Sequence, residues 1–173
     1  MSRHPQGFPP HRERVLPASR YLAPYVQTPP DVVDRMLAFS GVGAGDVVVD
    51  LGAGDGRVIL TAAQTYGVRA VGYEIDSDLV ADARRSIREA GVEHLAEIRK
   101  QDMLAADLSE ATVVALYLTS AANIRVRRHI LEQVKPQTRI VSHEFGMGMW
   151  RPARVERMRD ASGVFRTLYL WQR

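Results

Sequence analysis

Val47-Val48-Val49-Asp50-Leu51-Gly52-Ala53-Gly54-Asp55-Gly56-Arg57 decides the fold. Four of its first five residues are apolar and three of them are β-branched, the pattern of a short strand buried on both faces. Three alternating glycines follow. Val58, Ile59, Ala62 and Ala63 then recur at helical spacing as far as a C-cap glycine, Gly67. A strand that turns through glycines into a helix lets the backbone lie close against a ligand. A dinucleotide fingerprint beginning at Gly52 needs glycine where Arg57 stands, and one beginning at Gly54 needs it where Ile59 stands. The Gly-Lys-Ser/Thr ending of a phosphate loop is also missing. Asp50 and Asp55 are poor neighbours for a pyrophosphate and suitable ones for a ligand with an ammonium group.

The flanking sequence extends this unit into an alternating pattern. Thr28-Pro29-Pro30-Asp31 reads as a helix start, with Thr28 as N-cap, Pro29 in the first helical position and Asp31 in the first turn. Val32, Val33, Met36, Leu37 and Phe39 carry that helix to Gly41. A second strand is expected at Arg69–Glu74, a helix from Asp76 or Ser77 to Ala90, and a third strand at Leu95–Lys100. Ala111–Leu118 reads as a fully buried fourth strand, Ala122–Val134 as a helix and Thr138–His143 as a fifth strand. Arg154–Arg159 and Val164–Trp171 form a hairpin around Asp160-Ala161-Ser162-Gly163. Repeated strand–helix units predict an α/β fold, a doubly wound, mostly parallel sheet with an antiparallel C-terminal hairpin strand. Ligands bind such sheets at the carboxyl ends of the strands, which gathers Asp50 to Gly56, Glu74, Asp102 and Tyr117 around one crevice.

With 173 residues, 46% hydrophobic and 25% charged, the chain suits one domain, 21–173, behind a flexible basic arm, 1–20, that holds Pro5, Pro9, Pro10 and Pro17. The absence of cysteine excludes disulfides, cysteine-bound metals and thiol nucleophiles, and fits a reducing cytoplasm. No apolar run is long enough for a membrane span, and the first 30 residues show no secretory signal. A cytoplasmic protein is expected. His4, His11, His94 and His129 show no metal-ligand spacing, so no metal is expected. The two ends are basic: Arg3, Arg12, Arg14 and Arg20 face only Glu13, and six arginines after position 150 face only Glu156 and Asp160. Nucleic acid could meet such ends; an arginine-biased soluble surface is the simpler account.

Glu74 closes the second strand, where a carboxylate can accept hydrogen bonds from both hydroxyls of a ribose. Asp102, after the third strand, can accept from an adenine amino group, and Met103 can pack on the ring. With these residues in place, the motifs 47–57, Gly72-Tyr73-Glu74-Ile75-Asp76, Gln101-Asp102-Met103 and the Thr112–Thr119 strand resemble those of the class I, seven-strand methyltransferases over about residues 21–171. The resemblance implies a Rossmann-like sheet of seven strands with the last antiparallel, and S-adenosylmethionine as methyl donor. It further implies donor contacts from Tyr25, Thr28, Asp50, Gly52, Gly54, Gly56, Glu74, Ile75, Asp102, Met103 and Tyr117.

A narrower resemblance rests on Tyr25-Val26-Gln27-Thr28-Pro29, Ala111-Thr112-Val113-Val114 and Val141-Ser142-His143-Glu144-Phe145 with Trp150-x-Pro152. These look like a group of protein-lysine methyltransferases that includes enzymes acting on an ATP synthase subunit and on archaeal chromatin proteins. Gln27 replaces a proline common in that group. Lysine methylation requires a neutral amine, and a dehydrated aromatic channel lowers the amine's pKa. Tyr25 and Tyr117 are the candidate walls. His143 and Glu144 either orient or deprotonate the amine or form a structural pair at a strand end, and His143 joins the two tyrosines as a candidate catalytic residue. Asn123 faces the same pocket or caps its helix. Trp150 reads as a packing anchor.

Three alternatives stay open. Leu116-Tyr117-Leu118-Thr119-Ser120 lacks the Asn/Asp-Pro-Pro-aromatic element of base-amine methylation, but RNA ribose methylation needs no such element. A small-molecule acceptor would usually bring a larger lid than the segment before Thr28 supplies. A non-catalytic S-adenosylmethionine-binding module would keep the glycine turn and Glu74 and still lack turnover.

Overall fold

The structure, a computed structural model, describes residues 25–173. The basic arm read at 1–20, and residues 21–24 of the approach to the first helix, lie outside the described residues. The elements are α1 (Pro30–Phe39), β1 (Val47–Leu51), α2 (Arg57–Tyr66), β2 (Arg69–Glu74), α3 (Ser77–Glu89), β3 (Ala96–Lys100), a short 3₁₀ turn (Met103–Ala105), β4 (Val113–Leu116), α4 (Ser120–Gln133), β5 (Arg139–His143), β6 (Arg154–Arg159) and β7 (Phe165–Gln172). They build one seven-stranded sheet in the order β3-β2-β1-β4-β5-β7-β6. The first five strands in chain order run parallel, and β7 is antiparallel to both β5 and β6. The expected α/β architecture is the observed one. Strand order reverses where β1 lies between β2 and β4, so the mouth of the crevice opens at the carboxyl end of β1.

Alternation along the strands divides the interior into two cores. Val48, Ala70, Ile98, Val113, Ala115, Val141 and Leu168 point toward α1, α2 and α3. Val49, Leu51, Val71, Val114, Leu116, Ile140 and Trp171 point toward α4, whose inner stripe is Ala122, Val126 and Ile130. Trp171 Nε1 donates to the Trp150 carbonyl at 2.8 Å, and the Trp150 ring packs against this core, 5.9 Å from the Trp171 ring, as a packing anchor should. Contacts distant in sequence tie α1 to the hairpin. Arg35 pairs with Glu156, the Arg154 guanidinium lies 4.7 Å from the Phe39 ring centroid, and Ala161 N donates to Asp31 Oδ2 at 2.6 Å. Among the described residues no helix is long and apolar enough to cross a membrane.

The fold departs from two sequence expectations. Thr28 does not cap α1: Pro29 is the N-cap, with φ −55° and ψ 144°, and Pro30 is the first helical residue. A residue before proline is driven to extended geometry, so the tandem prolines start the helix one residue later. Strand β4 is shorter than expected. Leu116 pairs with Leu51, and beyond it β1 has turned into the glycine loop, so Tyr117 and Leu118 find no ladder partner there.

Gly72 on β2 is a packing requirement. A Cβ there would sit 2.7 Å from Ala53 Cβ and 2.8 Å from Ile98 Cδ1. Gly72→Ala is expected to cost about 1–3 kcal/mol through overpacking, read as a lower urea midpoint; an unchanged midpoint would show that the turn and β3 give way freely.

Candidate active site

The glycine turn is closed by one side chain. Glu74, at the end of β2, accepts from Gly54 N at 2.9 Å through Oε2 and from Ile75 N and Asp76 N at 2.7 and 2.9 Å through Oε1. Asp76 in turn caps α3 by accepting from Asp78 N and Leu79 N. Gly54 holds φ 56°, and a Cβ on it would lie 2.5 Å from the Tyr25 ring. The tyrosine therefore lies against the turn, and only glycine lets it do so. Asp55 and Arg57 form a buried ion pair, and Arg57 Nη1 donates to the Thr28 carbonyl at 2.6 Å. That bond ties the segment carrying Tyr25 to the start of α2. Sequence reasoning misses this tie, although Arg57 ends the motif itself.

The turn is rich in carboxylates. Asp50 is buried beside Glu74 and Asp55. Burial, and then those two negative neighbours, push its carboxyl up to about 8. The Tyr25 phenol is raised to about 12, by burial and then by the Asp55 carboxylate, so it stays a neutral hydrogen-bonding group. A ligand that is cationic near Asp50 and carries hydroxyls near Glu74 suits this cradle. A polyanion does not. Ile75 is exposed at the β2–α3 corner, and Asp102 Oδ1 caps the 3₁₀ turn by accepting from Leu104 N at 2.9 Å. Met103 is half-buried against the α4-side core.

On the far side of the mouth, Tyr117 and His143 stand side by side at the ends of β4 and β5, with ring centroids 4.1 Å apart. Burial raises the Tyr117 phenol above its ordinary value. His143 is fully buried, and neither ring nitrogen has a hydrogen-bond partner. Burial, and then the charge of Arg166, lower its pKa to about 4, so the ring is neutral at ordinary pH. Asn123 does not cap α4; Thr119 does, by accepting from Ala122 N. The Asn123 amide instead donates to Ser142 Oγ and the Phe145 and Gly146 carbonyls, fixing the loop after β5.

The Asp50 carboxyl makes stability depend on pH. An unfolded chain releases this proton near 3.9, whereas the fold retains it to about 8. Between those values folding therefore weakens as pH rises, by up to about 1.4 kcal/mol per unit, and the slope ends above 8. Asp50→Asn removes this contribution. Its melting temperature relative to the wild type is expected to rise from pH 5 to pH 8, while donor binding weakens. A pH-independent difference would show that Asp50 is already ionised in the fold.

The family model for the ANTKMT methyltransferase domain matches residues 50–154. A protein-lysine N-methyltransferase of Saccharolobus islandicus (strain REY15A) is 42% identical over 86% of this chain and 92% of that protein. An adenine nucleotide translocase lysine N-methyltransferase of Mus musculus is 30% identical over 79% of this chain and 59% of that protein. Among solved structures, one described as an RNA methyltransferase from Salinibacter ruber, in complex with S-adenosyl-L-homocysteine, is 50% identical. Its TM-score is 0.79, covering 85% of this chain and 93% of that one. The donor implied by the glycine turn and Glu74 is thus S-adenosylmethionine, and the chain belongs to the ANTKMT methyltransferase domain family of S-adenosylmethionine-dependent methyltransferases.

Proposed function

We propose that the enzyme transfers the methyl group to a lysine side-chain amine of a protein. The observation that carries this reading is the pair of neutral aromatic walls. Tyr25 lies over Gly54 and Tyr117 stands just after β4, both with phenols neutral at ordinary pH. Aromatic faces attract an ammonium group, and a partly dehydrated channel favours its neutral form. The lysine methyltransferases named among the relatives support the same acceptor.

When bound, S-adenosylmethionine supplies an electrophilic methyl group. The rest is placement. Glu74 and the backbone of the glycine turn would hold the donor, with Asp50 beside it, and the tyrosines would direct the acceptor into line. Proximity and orientation are worth roughly 7–11 kcal/mol of such a barrier. The tyrosines, with His143 neutral behind Tyr117, are the residues we assign to the acceptor side.

A second reading, methylation of RNA, is favoured by the Salinibacter ruber protein's description. Incubation with methyl-labelled S-adenosylmethionine and a cell extract separates the two. Label is expected in protein bands, as methylated lysine by mass spectrometry, and is expected to vanish with Glu74→Ala. Label confined to RNA or to small molecules would overturn the lysine assignment and leave the donor site standing.

A further inference from the structure

Directly after β5 the backbone does something costly. Glu144 has φ 65°, in the left-handed region that residues with side chains seldom adopt. Two bonds to β7 hold it there: Glu144 N donates to the Thr167 carbonyl at 2.8 Å, and Thr167 N donates to Glu144 Oε1 at 3.2 Å. The same oxygen lies 3.4 Å from His143 Nε2, a contact without the alignment of a hydrogen bond. A wholly buried imidazole with no hydrogen-bond partner thus faces a carboxylate whose side chain is 26% exposed. Strain that re-aims a side chain, next to an unsatisfied buried polar group, points to binding.

We propose that Glu144 is the anchor for the ammonium group of the acceptor, at the entrance to the channel walled by Tyr117. This rests on the lysine reading above. The charges facing Glu144 support a cation. His143 behind it is neutral, and the Tyr117 phenol just after β4 is neutral. Arg166 on β7 is engaged by Asp160 of the hairpin turn, its Nε donating to Asp160 Oδ2 at 2.8 Å. Asp160 is itself satisfied by Ser162 N, Ser162 Oγ and Val164 N. Glu144 and Asp160 against Arg166 leave one net negative charge, which attracts an ammonium and repels a phosphate. The carboxylate is open enough to be reached and covered enough to act at reduced solvent screening. His143 is closed to solvent, so a substrate cation meets Glu144 first.

Left-handed geometry provides a clean test, because glycine adopts it freely. Glu144→Gly removes the carboxylate and relieves the backbone. It is expected to raise the melting temperature, leave S-adenosylhomocysteine affinity unchanged, and raise KM for the labelled protein acceptor at least tenfold. Glu144→Gln should raise KM similarly, and Glu144→Asp, which keeps the charge and tolerates the backbone, should recover part of the loss. Label in protein with an unchanged KM in the glycine and glutamine variants would overturn the anchor alone. Label confined to RNA in the wild type would overturn the lysine reading and the anchor with it.

Discussion

The Glu74 carboxylate is the constraint on which the rest of the site depends. It binds the turn after β1 to the turn after β2 through three backbone N–H groups. Those turns open α2 and α3, so one side chain sets the relative height of two strand–helix units. Charge-assisted bonds to backbone donors are among the stronger ones available. The arrangement has a cost: it fixes a negative charge beside Asp50 and helps keep that buried carboxyl protonated. The turn therefore crowds carboxylates together, and the fold relieves their repulsion by keeping Asp50 protonated.

How much can be read from sequence follows from how local each signal is. The β1–turn–α2 unit is legible because strand, glycines and helix are contiguous and each has its own composition. The positions of Glu74 and Asp102 at the mouth are legible because one closes a β-rich strand and the other follows the next. The helix start at Thr28 is misplaced because capping propensity competes with the steric demand of Pro29-Pro30, and the prolines win. The end of β4 is overextended because hydrophobicity continues through Leu118, whereas pairing stops where β1 bends away. The Asp55–Arg57–Thr28 tie and the left-handed Glu144 have no local signature. The first joins residues 29 positions apart, and the second is held by two bonds to β7 together with a turn closed by Phe145 N donating to the His143 carbonyl at 2.9 Å.

The two sides of the mouth have different origins. The donor side comes from β1, β2 and their turns, and its chemistry is fixed by carboxylates and glycines. The side we assign to the acceptor lies at the ends of β4 and β5. Its side chains depend on contacts distant in sequence, such as those of Glu144 with Thr167 on β7. Relatives can therefore share the donor cradle closely and still differ in what they methylate, which agrees with the two kinds of acceptor named among them.

The strand order has a consequence for how the molecule is made. β7, the last of the seven strands in chain order, lies between β5 and β6. During synthesis the β5 segment Arg139–His143, apolar at Ile140 and Val141, emerges with one edge unpaired until β7 arrives. Exposed apolar edges are the surfaces on which chains aggregate. Glu144 gains its two bonds to Thr167 only when β7 has arrived. The nascent chain can thus form the glycine turn and the Glu74 bonds before β7 covers this edge.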